Sequence, residues 1–151
     1  MRQPEDLTRS ERRRLQREPD DDAEKAEMLV AELLDGRHTP DETNWYDVRS
    51  AGGDTKVEVK STHREIGEEY PAEGRFRLWR SQLRSLIASR YAGETGSTWV
   101  AFVLFGDGGA PRVRRMHAQT VRDVVEETVG WGPSGHEEFD EQAKLPIEAV
   151  F

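Results

Sequence analysis

The sequence contains no cysteine. This absence excludes a disulfide framework and any metal site built on thiolates, such as a zinc finger. A chain of 151 residues is long enough for one domain that buries most of its apolar surface. A covalent cross-link is therefore not needed to explain the stability of the fold.

Long apolar runs are also missing. No stretch approaches the length that crosses a bilayer, and residues 1–22 lack the apolar segment of a secretory signal. Those residues instead carry charges of alternating sign, which predicts a flexible, charged N-terminal arm. We therefore expect a cytoplasmic protein with no membrane partner, consisting of this arm and a single domain over residues 23–151.

Lysine is scarce, since only four of the 22 basic residues are lysines, whereas Asp and Glu number 30 and the net charge is −8. This balance is typical of halophilic proteins, which work in a saline cytoplasm. High salt weakens contacts to phosphate. A protein that acts on nucleic acid there would depend on metal coordination and shape more than on long-range charge.

Hydrophobic periodicity predicts alternating helices and strands. Apolar residues at helical spacing predict helices over 26–34, 81–91 and 120–129. The first of these helices is expected to end at Gly36. Alternating or continuous apolar residues predict strands over 45–49, 55–61, 98–105 and 111–117. The remaining segments are predicted as a polar loop over 62–74, a glycine turn over 106–109 and an edge segment over 144–151.

The strand over 55–61 sorts its side chains by alternation. Val57 and Val59 face one side, and Glu58 and Lys60 face the other. Hard divalent cations prefer carboxylate oxygens, and a lysine beside them can orient a water or stabilise negative charge. The pattern indicates a metal-assisted hydrolytic site.

Asp47 lies on the preceding strand, across the predicted turn at 50–54. In the strand over 45–49, Tyr46 and Val48 are expected on one face and Asp47 on the other. Pairing of the two strands can place the Asp47 carboxylate on the same side as Glu58. Two carboxylates on adjacent strands suit Mg²⁺ or Mn²⁺.

Asp47 followed after ten residues by Glu58-Val59-Lys60 resembles the core of the PD-(D/E)xK nuclease superfamily, although Tyr46 stands where the motif has proline. The resemblance implies an α/β, restriction-endonuclease-like core with a mixed central β-sheet flanked by helices. It implies catalysis by Asp47, Glu58 and Lys60, with Mg²⁺ (or Mn²⁺) as cofactor and DNA as substrate. The Val59 backbone carbonyl is implied as a further metal ligand.

Two further stretches extend this resemblance to residues 24–105. Residues 25–34 are similar to the first helix of archaeal Holliday-junction resolvases, in which a glutamate joins the metal shell, and Glu27 is the matching position. Residues 45–50 and 58–62, with 76–82, resemble the nuclease-like domain at the C-terminus of the plant protein NO VEIN. There Gln82 is implied as a polar contact to the site or substrate.

Two segments, 74–93 and 110–122, carry nine arginines and no acid. They predict local anion-binding surfaces on an otherwise acidic chain, although ordinary solvated arginines would give the same pattern. The residues predicted to bind nucleic acid are Arg75, Arg77, Arg80, Gln82, Arg84, Arg112, Arg114 and Arg115.

The function predicted from these features is a metal-dependent DNA endonuclease acting in repair, recombination or defence. A catalytically silent nuclease-like module that binds nucleic acid or a protein partner is the alternative, and a homodimeric junction resolvase is a third possibility. The four histidines show no ligand spacing and are expected at the surface, with His63 close enough to Lys60 in sequence to approach phosphate. Trp45 and Trp79 are expected to pack in the core rather than to stack on bases.

Overall fold

The computed structural model describes residues 1–11, 22–50, 55–67, 69, 71–91, 97–106, 109–136 and 139–151. Three α-helices lie wholly within these ranges: α1 (Asp22–Leu34), α2 (Arg80–Tyr91) and α3 (Ala118–Glu127). Single 3₁₀ turns cover Pro4–Asp6 and Ile147–Ala149. The strands are β1 (Gly36–His38), β2 (Val48–Ser50), β3 (Thr55–His63), β4 (Glu65–Ile66), β5 (Ala72–Glu73), β6 (Arg75–Trp79), β7 (Ser97–Phe105), β8 (Arg112–His117), β9 (Gly132–His136) and β10 (Phe139–Pro146).

The central sheet has five strands in the order β1-β2-β3-β7-β8. Strands β3 and β7 run parallel, in register from Thr55 opposite Ser97 to His63 opposite Phe105, whereas the other neighbours are antiparallel. Strand β7 is fully buried from Val100 to Leu104, as its continuous apolar run predicts. The sheet is therefore mixed and flanked by helices, which confirms the predicted fold class.

The two faces of this sheet form two cores. Helix α1 covers one face, where Val30 and Leu33 pack with Val57 and Val59 of β3. Helices α2 and α3 and a second sheet cover the other face, where Leu83 and Val121 belong to the same core. The alternation predicted for β3 is confirmed, because its two valines lie in the α1 core.

Helix α1 ends at Leu34, and Asp35 has φ 54°, the left-handed conformation in which a short polar side chain is tolerated. Gly36 follows as the first residue of β1. A Cβ built there would lie 2.3 Å from the Arg49 carbonyl oxygen of β2. Glycine is thus required by the close approach of β1 to β2, and not only by the end of the helix.

The second sheet has three strands in the order β6-β10-β9. The prediction that residues 144–151 form an edge segment is therefore wrong in part, since β10 is the middle strand and pairs Lys144 with Arg77. The predicted loop over 62–74 also contains the end of β3 and a short hairpin of β4 and β5. Both differences arise from pairing that local sequence patterns do not encode.

Residues 1–11 pack against the end of α1. Leu7 is buried in the α1 core, the Arg2 amide donates to the Leu33 carbonyl at 2.9 Å, and the Arg2 guanidinium pairs with Glu11 at 2.7 Å. This packing differs from the expectation of a flexible arm for its first half, and residues 12–21 lie outside the described residues. The division into an arm and a domain stays a prediction.

No helix in the described part of the chain combines the length and apolarity that a membrane crossing needs.

Candidate active site

The backbone of Asp47 is fixed from two sides just before β2 begins. Its amide donates to the Val57 carbonyl of β3 at 2.9 Å, and its carbonyl accepts from the Thr39 amide at 2.8 Å. Asp47 is therefore held between β3 and the residue that follows β1. The predicted alternation fails here because the regular strand starts only at Val48. Tyr46 packs in the core beneath helices α2 and α3, whereas Val48 packs in the core beneath helix α1.

The Asp47 side chain contacts β3 beyond the residues that pair with β2. The paired residues of β2 and β3 are Val48 with Val57 and Arg49 with Lys56. Beyond this pairing, the Asp47 Oδ2 atom accepts a hydrogen bond from the Val59 amide at 2.7 Å. The amide and carbonyl of one strand residue point to the same edge, so the Val59 carbonyl faces the Asp47 side.

Glu58 is a buried carboxylate, with 3% of the residue exposed. Its Oε1 atom lies 3.0 Å from the Lys60 Nζ atom. Burial raises the pKa of Glu58, the Lys60 ammonium opposes that rise, and the negative charge of Asp47 adds to it.

Lys60 has 18% of its side chain exposed and follows Glu58 on the same face of β3. Lys56 is the third charged residue of this face and is itself buried. Its Nζ atom lies 5.2 Å from the Trp45 ring centroid and 5.7 Å from that of Tyr46, so the ammonium is held by cation–π contacts. The prediction that Trp45 packs on the core is confirmed.

Three side chains brace the segment that carries Asp47. The Tyr46 hydroxyl donates a short hydrogen bond to Glu42, and the Arg49 Nη1 atom donates to the same carboxylate at 3.3 Å. Burial and the Glu42 carboxylate raise the pKa of Tyr46, so the hydroxyl stays a donor. Sequence reasoning missed these residues, because residues 42–46 form an irregular segment in which spacing does not show which side chains meet.

Glu27 of α1 pairs with a histidine of β1. The His38 Nε2 atom lies 3.3 Å from the Glu27 Oε1 atom, and both side chains are largely shielded, at 20% and 17% exposed. In the part of the chain that the structure describes, no cluster of three or more His, Cys, Asp or Glu side chains could hold a metal ion. The structure thus brings together Asp47, Glu58 and Lys60, and the role of Glu27 as a metal ligand stays a prediction.

The predicted nucleic-acid residues of the first arginine segment lie on β6 and α2. Arg75 and Arg77 are exposed on β6, Arg84 is exposed on α2, and Gln82 is half-buried there. Arg80 differs from these, because its Nη1 atom pairs with Glu141 of β10 at 2.7 Å.

The three arginines of the second segment that were predicted to bind nucleic acid contact the protein itself. The guanidinium carbon of Arg115 lies 4.1 Å from the Trp99 ring centroid, and that of Arg112 lies 4.7 Å from the Phe151 ring. Arg114 donates a short hydrogen bond to the Val150 carbonyl. Each of the three supports packing at β8.

Two cavities in the described part of the structure lie away from Asp47, Glu58 and Lys60. A cavity of about 380 Å³ is lined by α2, α3 and Trp131, and another of about 630 Å³ lies beside β6 and β10. Neither is lined by Asp47, Glu58 or Lys60. His63 also lies apart, since its Nε2 atom is 2.7 Å from an Asp22 carboxylate oxygen.

Comparison with known protein families agrees with this geometry. Residues 12–151 match the family described as PD-(D/E)XK nuclease superfamily domain. No curated protein shows significant similarity to the chain. Because the match covers nearly the whole sequence, the chain belongs to the PD-(D/E)XK nuclease superfamily.

Proposed function

We propose that the protein is a divalent-metal-dependent DNA endonuclease that hydrolyses phosphodiester bonds at Asp47, Glu58 and Lys60. The observation that carries this proposal is the grouping of three charged side chains at β3. The buried Glu58 carboxylate pairs with Lys60 at 3.0 Å, and the Asp47 carboxylate accepts a hydrogen bond from the amide of Val59, which lies between Glu58 and Lys60 in sequence. Glu58-Val59-Lys60 has the (D/E)xK spacing that names the superfamily to which the chain belongs, which supports the proposal.

The donor set fits a hard cation. Asp47 and Glu58 supply two carboxylates, and the Val59 carbonyl is inferred to face the Asp47 side, so oxygen ligands of the kind that a hard cation prefers lie close together. These three groups would hold Mg²⁺ or Mn²⁺, with Glu27 as a proposed further ligand. A bound ion of this kind lowers the pKa of its water and stabilises the charge that develops on the phosphate.

The chain's own residues do the remaining work. Lys60 donates hydrogen bonds from a shielded position, which orients the attacking water and stabilises negative charge on the reacting phosphate. Lys60 also favours the ionised form of Glu58, which burial disfavours. Two hydrogen bonds fix Asp47 on β3: its amide donates to the Val57 carbonyl, and its carboxylate accepts from the Val59 amide. Because they hold the Asp47 carboxylate in a fixed position relative to β3, less reorganisation is needed at the transition state.

One observation favours the alternative, a silent nuclease-like module that binds nucleic acid or a protein partner. Within the described ranges, the metal-ligating side chains do not gather into a cluster of three. The alternative predicts DNA binding without turnover. A homodimeric resolvase would differ in cutting four-way junctions in preference to linear duplex.

The test is cleavage of linear duplex, single-stranded and four-way DNA in Mg²⁺ or Mn²⁺, at low and high salt. We expect the wild type to cut at least one substrate and Asp47→Asn, Glu58→Gln and Lys60→Met to lose at least about 100-fold in rate. Glu65→Gln, which removes an exposed carboxylate on β4, is the matched control and should cut normally. Absence of cleavage by the wild type on every substrate would leave the silent module as the better account.

A further inference from the structure

The outer face of the second sheet carries three cations that form no ion pair with a described residue. Arg75 and Arg77 of β6 and Lys144 of β10 are exposed, while Phe76 and Leu145 on the opposite face are fully buried. Arg77 also lies near the Trp79 ring, at 5.5 Å from its centroid. We call this surface, defined by Arg75, Arg77 and Lys144, the cationic face.

The strand register sets like charges against each other. Lys144 lies directly opposite Arg77, and Arg75 lies opposite Pro146, two residues further along β10. Like charges in directly opposed positions destabilise a sheet. Since this arrangement does not favour the fold, it indicates a face suited to an anion.

The cationic face also forms one side of a groove with a volume of about 630 Å³. Ile66, which is 49% exposed, contributes an apolar contact, and Glu73 and Glu148 are the acids along it. Glu73 is partly neutralised by Arg64, whose Nη1 atom lies 4.0 Å away. Even with these acids, the groove is a local basic region on a chain whose net charge is −8.

The first residue of the cationic face, Arg75, lies next to the end of β3. The amide of Gly74, which precedes Arg75, donates to the Arg64 carbonyl at 3.1 Å, and a Cβ at Gly74 would lie 1.9 Å from the His63 carbonyl oxygen. Only glycine allows β6 to pass this close to β3. At about 3.3 Å per residue, His63 lies roughly 10 Å along the strand from Lys60, a span of a few nucleotides.

We infer that the cationic face binds the sugar–phosphate backbone of the DNA substrate beside the cleaved bond, with Lys144 as a contact residue. This inference rests on the proposed DNA nuclease function. Three unpaired cations in a groove match the regular negative charge of a phosphodiester chain. The arginines of β8 lie on the central sheet instead, where they contact Trp99, Phe151 and Val150.

The experiment measures DNA affinity by fluorescence anisotropy in EDTA, so that no cleavage occurs, at salt concentrations between about 50 and 200 mM. The probe is a labelled oligonucleotide, tested as a single strand and as a duplex. The variant combines Arg75→Gln, Arg77→Gln and Lys144→Gln. A matched control removes the same charge from exposed positions elsewhere, with Arg9→Gln, Arg90→Gln and Arg122→Gln.

Losing three phosphate contacts should reduce the slope of log affinity against log salt by about 2 to 3, and affinity roughly five- to tenfold per contact at 0.1 M salt. The control should keep the wild-type slope. In addition, Glu148→Gln, which removes an acid from the same groove, should raise affinity by a few fold. An unchanged slope in the triple variant, or an equal loss in the control, would overturn the inference.

The two proposals can fail separately. If the wild type cuts no DNA but the triple variant still loses its salt slope, the cationic face stands and the nuclease function falls. If the wild type cuts DNA and the triple variant binds as tightly as wild type, the nuclease function stands and the cationic face is rejected.

Discussion

The arginines of β6 and those of β8 come from two segments that are both rich in arginine and free of acids, but their surroundings in the fold differ. The arginines of β8 lie on the edge strand of the central sheet, where aromatic rings and a carbonyl take up their charges. Arg75 and Arg77 are exposed on β6, and Arg77 lies directly opposite Lys144 of β10. The difference teaches that an acid-free basic segment indicates a ligand surface only where the fold leaves its charges without partners.

A general rule follows from this comparison. Charges held for the fold should add stability, whereas charges held for function should cost stability until their ligand binds. If the two proposals hold, the cationic face and the buried Glu58 belong to the second kind.

The largest effect is expected at β8. Arg112→Gln with Arg115→Gln removes two cation–π contacts, so the free energy of unfolding should fall by about 1 to 2 kcal/mol. Thermal denaturation should show this as a decrease in Tm of roughly 2 to 4 °C per kcal/mol. The paired control, Arg75→Gln with Lys144→Gln, should keep or raise the Tm, and an equal loss in both variants would break the comparison.

The next effect concerns Glu58 and depends on pH. Because burial raises the pKa of Glu58 in the folded state, its ionisation costs stability as pH rises through that pKa. Glu58→Gln should therefore match wild type below the pKa of an unfolded glutamate and become the more stable protein at neutral pH. Chemical denaturation in EDTA at a series of pH values measures the difference. A deficit of the variant at neutral pH would mean that the ion pair with Lys60 stabilises the fold.

The smallest effect is expected on the cationic face. Lys144→Glu places opposite charges at the cross-strand position of Arg77, which should raise the free energy of unfolding by about 0.2 to 1 kcal/mol. Denaturant titration can resolve this change, and Lys144→Gln separates the loss of repulsion from the gain of attraction. A decrease in stability would show that the like-charge pair does not strain the sheet.

Local patterns predicted the parts of the fold that depend on neighbours in sequence. The apolar stripe of α1, the alternation of β3 and the continuous run of β7 are encoded within about ten residues each, so periodicity identifies them. The second sheet could not be predicted in this way. It pairs β6 with β10, about 67 residues apart, and β9 joins only through β10.

The candidate site divides along the same line. Alternation was enough to put Glu58 and Lys60 on one face, because both lie within a regular strand. Alternation could not predict the hydrogen bond that the Val59 amide donates to the Asp47 carboxylate, because Asp47 precedes β2 and does not follow the alternation of that strand. The pairing of Glu27 with His38 depends on how β1 returns along α1, which no spacing in the sequence reveals.

The most direct test of the metal-dependent site is a calorimetric titration of the purified protein with Mn²⁺ in the absence of DNA. We expect saturable binding by the wild type and by Glu65→Gln, and a loss of at least about tenfold in affinity for Asp47→Asn and for Glu58→Gln. Mn²⁺ binding of wild-type strength in both site variants would contradict the assignment of Asp47 and Glu58 as metal ligands.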